Sequence, residues 1–411
     1  MSSASSILPG DLTAEAFRGD LSELGWKGPF GHDHPQVNAL RSQLQQQAGI
    51  AELELIDPAT PGFARRAAEL LDRDGYVVVK DILDGQRLET IRRGCEIAIR
   101  EMVGRDPGRS GNRGSHRYSF GSAPAHFGLQ DMWSVLIDPP PLMEIMEAIF
   151  GTKDFVTHSG SGGGDYNVPG SVEYQRLHSD GAGGGQDGRN GRYPDVKLEY
   201  LPDGQTFGDW PGANRRTVAV DAPEDPACRY EVVNSRDLHV REYAVTVNYP
   251  MEIRKGSEVG HTVYNGATRQ IPGTQSLDGR NGNPIPTEEE EPLWMKLSTT
   301  APCPAGSAMI RDARAWHGGT PNLGEFVRAI PHPGLYMLPT SHRVPQPGEP
   351  KQISLPYEIW EKMTPQGQHI CRNIHAEKGQ QVPAVQWAPD WAGNADAVHK
   401  GLEVAKLPPK L

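Results

Sequence analysis

Between Asp154 and Leu338 the chain is a succession of short runs rich in β-branched residues, each ended by glycine, proline or asparagine. The clearest are "EYAVTVNYPMEI", "SAMIRDARAWH" and "VRAIPHPGLYMLP". Segments this short, cut this often, bury apolar surface as antiparallel strands rather than as helices. The same punctuation pervades the whole chain, with 47 glycines and 36 prolines in 411 residues. That argues for turns and long loops over a helical bundle. The pattern predicts an antiparallel β core, sandwich or barrel, carrying long loops.

Helical periodicity is confined to the flanks. One helix is expected from about Gly62 to Arg73, followed by a buried strand in "DGYVVVKDIL" (Asp74–Leu83). A second follows, with Leu88, Ile91, Cys95, Ala98 and Met102 on one face. "PPPLMEIMEAIFG" (Pro139–Gly151) reads as a third, with prolines at its start and glycine at its end. Shorter candidates are Val37–Ala48 and "LPYEIWEKM". The expected organisation is an N-terminal extension over 1–61, a main domain over 62–344, and a C-terminal extension over 345–411.

A formal net charge of -11 argues against nucleic acid or an anionic membrane as the main partner. No run of about 18 apolar residues is present, and the N-terminus has neither the basic start nor the apolar centre of a secretory signal. The four cysteines are widely spaced and form no CxxC, which suits reduced thiols. The expectation is a cytoplasmic protein acting on a small molecule.

Within the β region, "EYQRLHSDGAGGG" places His178 and Asp180 two residues apart. On a strand, positions i and i+2 share a face, so both side chains can reach one ion while Ser179 turns away. Alone, such a triplet is as readily a hydrogen-bonded structural pair. The reading sharpens downstream, where "AMIRDARAWHGGTPN" is a strand ending at His317. Two histidines and a carboxylate form a facial triad that leaves coordination positions open, a set suited to Fe(II). Arg328 begins the next strand and, across a hairpin of that length, is expected beside His317, where a guanidinium can clamp a carboxylate bidentately.

With these residues in order, the chain resembles the phytanoyl-CoA dioxygenase family of Fe(II)- and 2-oxoglutarate-dependent oxygenases. "LLDRDGYVVVKDIL" resembles the family's opening strand, "VPGSVEYQRLHSD" its approach to the first iron ligands, "YNGATRQIPGTQ" its NG-x-T-x-x-IPGSH turn, and "HGGTPN…R" its distal histidine and arginine. The resemblance covers roughly residues 62–340. It implies a double-stranded β-helix (jelly roll, cupin-like) core with flanking helices. It further implies Fe(II), 2-oxoglutarate and O2 as cofactor and co-substrates. His178, Asp180 and His317 would bind iron, and Arg328 the far carboxylate of 2-oxoglutarate. Gln175, Thr268 and Arg117 match positions that contact the co-substrate.

Two departures stand out. The interval from Asp180 to His317 is long, with the excess at about 181–241, and the histidine of IPGSH is Gln275 here. The inserted segment is either a substrate lid, with Trp210 and Arg215 as contacts, or a surface loop. Tyr166 and His158, which precede the HxD strand, are expected to line the pocket. Because Asp180 is present, halogenation is disfavoured and hydroxylation is the default outcome. The other classes considered are a non-catalytic metal- or ligand-binding jelly roll and a metal-dependent isomerase or hydrolase on a cupin-like barrel.

Overall fold

A computed structural model describes residues 12–13 and most of 54–382. The exceptions within that span are 107–110, 112–115, 121–129, 158–162, 172–174, 176, 181–195, 201–214, 220–243, 276–297, 340, 342–343, 346–347 and 352. The expected Val37–Ala48 helix, Trp210 and His158 lie outside the described residues.

In chain order the first elements are β1 (Leu55–Ile56), α1 (Phe63–Asp74), β2 (Tyr76–Val79), α2 (Gly85–Arg105), β3 (Arg117–Phe120), α3 (Gln130–Ile137) and α4 (Pro140–Phe150). Strands follow: β4 (Val156–Thr157), β5 (Gly163–Asn167), β6 (Val196–Tyr200), β7 (Arg215–Ala219), β8 (Ala244–Asn248), β9 (Met251–Glu252), β10 (Val259–His261) and β11 (Thr268–Gln270). Then come β12 (Thr299–Thr300), β13 (Cys303–Pro304), β14 (Ala308–Asp312), β15 (His317–Gly319), β16 (Arg328–His332), β17 (Leu335–Met337), α5 (Tyr357–Trp360) and α6 (Pro365–Ile370).

The strands form open, layered sheets of jelly-roll type. The largest has the order β1-β2-β14-β8-β17-β4, and a second has the order β3-β5-β16-β9. The two are halves of one bent surface, because β8 runs on into β9 and β16 into β17, with Tyr249 N bonded to Pro331 O at the bend (3.0 Å). Facing it is a smaller sheet, β12-β11-β15. Gln175, His178 and Asp180 extend this sheet, their backbone N–H groups bonded to the carbonyls of Gly319, His317 and Ala313.

Alternation along the large sheet sets what lies on each side. Val77, Val79, Val245, Val247 and Ile310 join the main apolar core with Leu70 and Leu71 of α1, Ile91 and Cys95 of α2, and Ile145 and Ile149 of α4. At roughly 1.5–3 kcal/mol for each large aliphatic buried, this helix-facing side is the main source of stability. Met309 takes the opposite phase, in a separate cluster with Tyr76, Val78, Ala301 and Cys303. Of the other residues of that phase, Thr246, Asn248 and Arg311 are polar and buried, while Ala244, Leu335 and Met337 belong to a further apolar cluster. The molecule therefore has an apolar layer outside the large sheet and an inner side where apolar clusters flank a polar patch of Thr246, Asn248 and Arg311.

Both ends of α1 are glycines in the left-handed region, Gly62 (φ 79°) and Gly75 (φ 77°). Gly75 is doubly constrained, since a Cβ there would lie 2.6 Å from Gln275 Oε1. Gln275, the departure from the IPGSH pattern, donates through Nε2 to Asp72 O (2.5 Å) and so ties the turn after β11 to the end of α1. Helices α3 and α6 were not anticipated from the sequence pattern. The C-terminal region packs into the main core through Leu355, Ile370, Cys371 and Ile374. Cys95, Cys303 and Cys371 are buried and in the thiol form. Among the described residues no helix is long and apolar enough to cross a membrane.

Candidate metal centre

His178 and His317 face each other across the edge of the small sheet, each donating its backbone N–H to the other's carbonyl at 3.0 Å. Directly opposed residues of an antiparallel pair share a face, and the two rings lie 4.2 Å apart between centroids. The neighbours Leu177 and Trp316 take the other face, where they cluster with Ile271. Apolar anchors on one side thus set the register that presents both imidazoles on the other. Asp180 follows two residues on. Its Oδ1 lies 3.7 Å from His178 Nε2 and its Oδ2 lies 3.4 Å from His317 Nε2.

One ligand atom from each of the three residues falls within 4.8 Å of the others. His317 Nδ1 lies 2.9 Å from Ala315 O. A carbonyl only accepts, so this bond requires the proton on Nδ1 and leaves the Nε2 lone pair facing the cluster. Two imidazole nitrogens and a carboxylate at this spacing fit a divalent transition metal such as Fe(II).

The turn that delivers His317 is held from several directions. Arg314 grips Asp312 through two hydrogen bonds of 3.0 and 2.7 Å, both residues being buried. Trp316 N donates to Thr274 Oγ1 (2.9 Å), so the threonine of the IPGTQ motif braces the residue before the ligand.

Arg328 is buried, but not where the hairpin reading put it. β15 pairs with β11 in the small sheet, whereas β16 pairs with β5 and β9 in the large one. The chain between them crosses from one sheet to the other, anchored by Asn322 Nδ2 on Asn167 O (2.7 Å) and Phe326 O (3.1 Å). Arg328 therefore reaches across the interior rather than along a hairpin. Its Nη2 donates to Gly266 O of the opposite layer and its Nη1 to Asp165 O (3.3 Å). Its Nε has no hydrogen-bond partner among the described residues. Burial pushes its guanidinium down to about 10, with Asp165 opposing the shift, so it stays charged at neutral pH.

Three of the remaining candidates surround this interior. Asn167 pairs with Arg328 on one side and Arg117 on the other, so all three share a face. The Arg117 guanidinium packs on Gly319, where a Cβ would lie 2.5 Å from its Nη2. Thr268 is buried opposite Gly319. Gln175 lies beside the same glycine, where its Oε1 accepts from Gly319 N (3.0 Å) and its amide N–H groups remain for a ligand.

Tyr166 is placed differently from the expectation. It neighbours Asn167, so it takes the opposite face, opposite Ala329, with its hydroxyl against Cys95 of α2. It is a helix-facing core residue, and strand alternation is the reason. Arg215 opens β7, which pairs with β6 within the inserted segment, Tyr200 opposite Arg215.

Two residues that the sequence reading passed over belong here. Arg311 projects from the inner phase of β14 onto Asp180 (2.6 Å). His261 is buried, and neither ring nitrogen has a hydrogen-bond partner among the described residues. Burial first, and the Arg328 charge second, hold the His261 imidazole well below its ordinary 6.5.

The folded state thus keeps His261 neutral, while the unfolded chain takes up a proton near pH 6.5. Below that pH the unfolded state binds more protons, so stability falls as pH falls. The slope from this group is about 1.4 kcal/mol per pH unit at most. In denaturant titrations from pH 7.5 to 5, the wild type should lose that increment relative to His261→Asn. Parallel pH profiles for the two proteins would refute the assignment.

No family model matches the chain. Among solved structures it is similar to EctD from S. alaskensis in its apo form, at 16% identity over 70% of this chain and 80% of that one, TM-score 0.37. It is also similar to the non-heme alpha-ketoglutarate-dependent epimerase SnoN from nogalamycin biosynthesis, at 16% identity over 70% and 91%, TM-score 0.37. EctD with bound Fe matches at 17% identity over 70% and 81%, TM-score 0.36. Likenesses this distant do not assign a reaction.

Proposed function

We propose that the chain is an Fe(II)- and 2-oxoglutarate-dependent oxygenase that hydroxylates a C–H bond of a small molecule, a cytoplasmic enzyme akin to the phytanoyl-CoA dioxygenases. The observation that carries this reading is the His178–Asp180–His317 donor cluster at the edge of an interior that also holds the buried, charged Arg328. In the overall reaction one atom of O2 enters succinate, formed with CO2 from 2-oxoglutarate, and the other enters the product alcohol. When bound, the iron would supply the oxygen activation that couples these two halves.

The protein's part is positioning. His178, Asp180 and His317 would hold the ion. Arg328 fixes the far carboxylate of the co-substrate, with its free Nε as an additional donor. Arg117, Thr268 and the Gln175 amide present further donors around Gly319. His317 is buried whereas the Asp180 side chain is 34% exposed, so the centre opens on the Asp180 side, where the inserted segment begins. We assign Trp210 and Arg215 of that segment to contact with the substrate.

The test is oxygen-dependent conversion of 2-oxoglutarate to succinate by the Fe(II)-reconstituted protein over a broad small-molecule panel. Stimulation by at least one compound, with matching product, is the expected result. Absence of succinate in every case would favour a binding protein instead.

A further inference from the structure

Asp180 has a second partner besides the two histidines. Arg311 lies on β14 of the large sheet, across from Tyr76 on one side and Thr246 on the other. Its side chain is 5% exposed, and its Nη2 donates to Asp180 Oδ2 at 2.6 Å. The other carboxylate oxygen, Oδ1, lies 3.7 Å from His178 Nε2, while Oδ2 itself lies 3.4 Å from His317 Nε2. The pair joins residues 131 positions apart and links the large sheet to the metal segment of the small one. Burial lowers the Arg311 guanidinium from its ordinary value, and Asp180 is the strongest influence opposing that shift.

A carboxylate at a metal centre can offer one oxygen or two, and two would occupy a position the co-substrate needs. A charge-assisted bond to one oxygen removes that freedom. We propose that Arg311 is a positioning residue for the metal centre, holding Asp180 through Oδ2 so that the carboxylate presents one oxygen to the ion and an open position is preserved. This inference rests on the metal-centre reading above but requires no turnover to test.

The experiment titrates the full-length metal-free protein with Co(II) anaerobically and follows the visible ligand-field spectrum. Wild type, Arg311→Met, Arg311→Lys and His178→Ala are compared, with circular dichroism and a melting curve for each. Arg311→Met should bind Co(II) about 10–100-fold more weakly, the range for losing a partner of a ligating group. Its band shape should also change as the released carboxylate rotates. Arg311→Lys keeps the charge but not the fork, and should recover part of the affinity. If Arg311→Met does not fold, the lysine variant's spectrum decides.

A merely structural role would lower the melting temperature and leave the spectrum and affinity of the folded protein unchanged, which would overturn the proposal. If the wild type itself shows no binding that His178→Ala removes, the metal-centre reading fails together with it.

Discussion

His178→Ala and Asp180→Ala are each expected to abolish succinate formation and stoichiometric iron binding while leaving the fold intact. Each removes one of three donors, and two ligands bind a divalent ion far more weakly than three. The loss should exceed the roughly 10–100-fold that follows removal of an outer partner. The fold should survive because the His178–His317 pairing is made by backbone groups that alanine keeps. The two variants should still differ. Asp180→Ala strips Arg311 of its carboxylate and leaves a buried cation, so it should melt lower than His178→Ala. Metal content by elemental analysis, read with a melting curve, checks both statements. Full iron occupancy in a folded Asp180→Ala protein would contradict the assignment.

The second large effect is expected at Arg328. Arg328→Met should raise the KM for 2-oxoglutarate by about 10–100-fold, from about 1.5–3 kcal/mol for a hydrogen bond to a charged group. kcat should change less, because the contact is made equally in the bound and reacting states. Arg328→Lys should recover little, since a lysine cannot reproduce both the fork and the bond to the Gly266 carbonyl. Iron binding without 2-oxoglutarate should be unaffected in both variants. A KM within about twofold of wild type would remove Arg328 from the co-substrate site.

The short-range parts of this architecture were legible in the sequence because they follow from local periodicity. The i, i+2 placement of His178 and Asp180, and α4 between its prolines and Gly151, depend on neighbours within a few residues. What failed to show were pairings set by topology. The 11-residue spacing from His317 to Arg328 suggested a hairpin, yet the loop crosses between sheets, which spacing alone cannot distinguish from a turn.

Tyr166 was misplaced because it was considered apart from its neighbour Asn167, whose phase matches Arg328. Arg311 carried a usable signal, sharing the inward phase of Met309 on the strand that leads to His317. Its partner lies 131 residues away, and no local pattern encodes that. Helix α6 was missed because its six residues, PQGQHI, are too few to show a periodicity; it is held by the Thr364 cap and the burial of Ile370.

One anaerobic measurement, made without knowing the substrate, tests the metal centre and its co-substrate most directly. The Fe(II)-loaded protein is titrated with 2-oxoglutarate and followed by visible absorption. A metal-to-ligand charge-transfer band should grow to saturation at one equivalent of iron. The band should be absent in His317→Ala and should require higher 2-oxoglutarate in Arg328→Met. A wild-type protein that binds one iron through these three residues but develops no such band at saturating 2-oxoglutarate would contradict the oxygenase assignment.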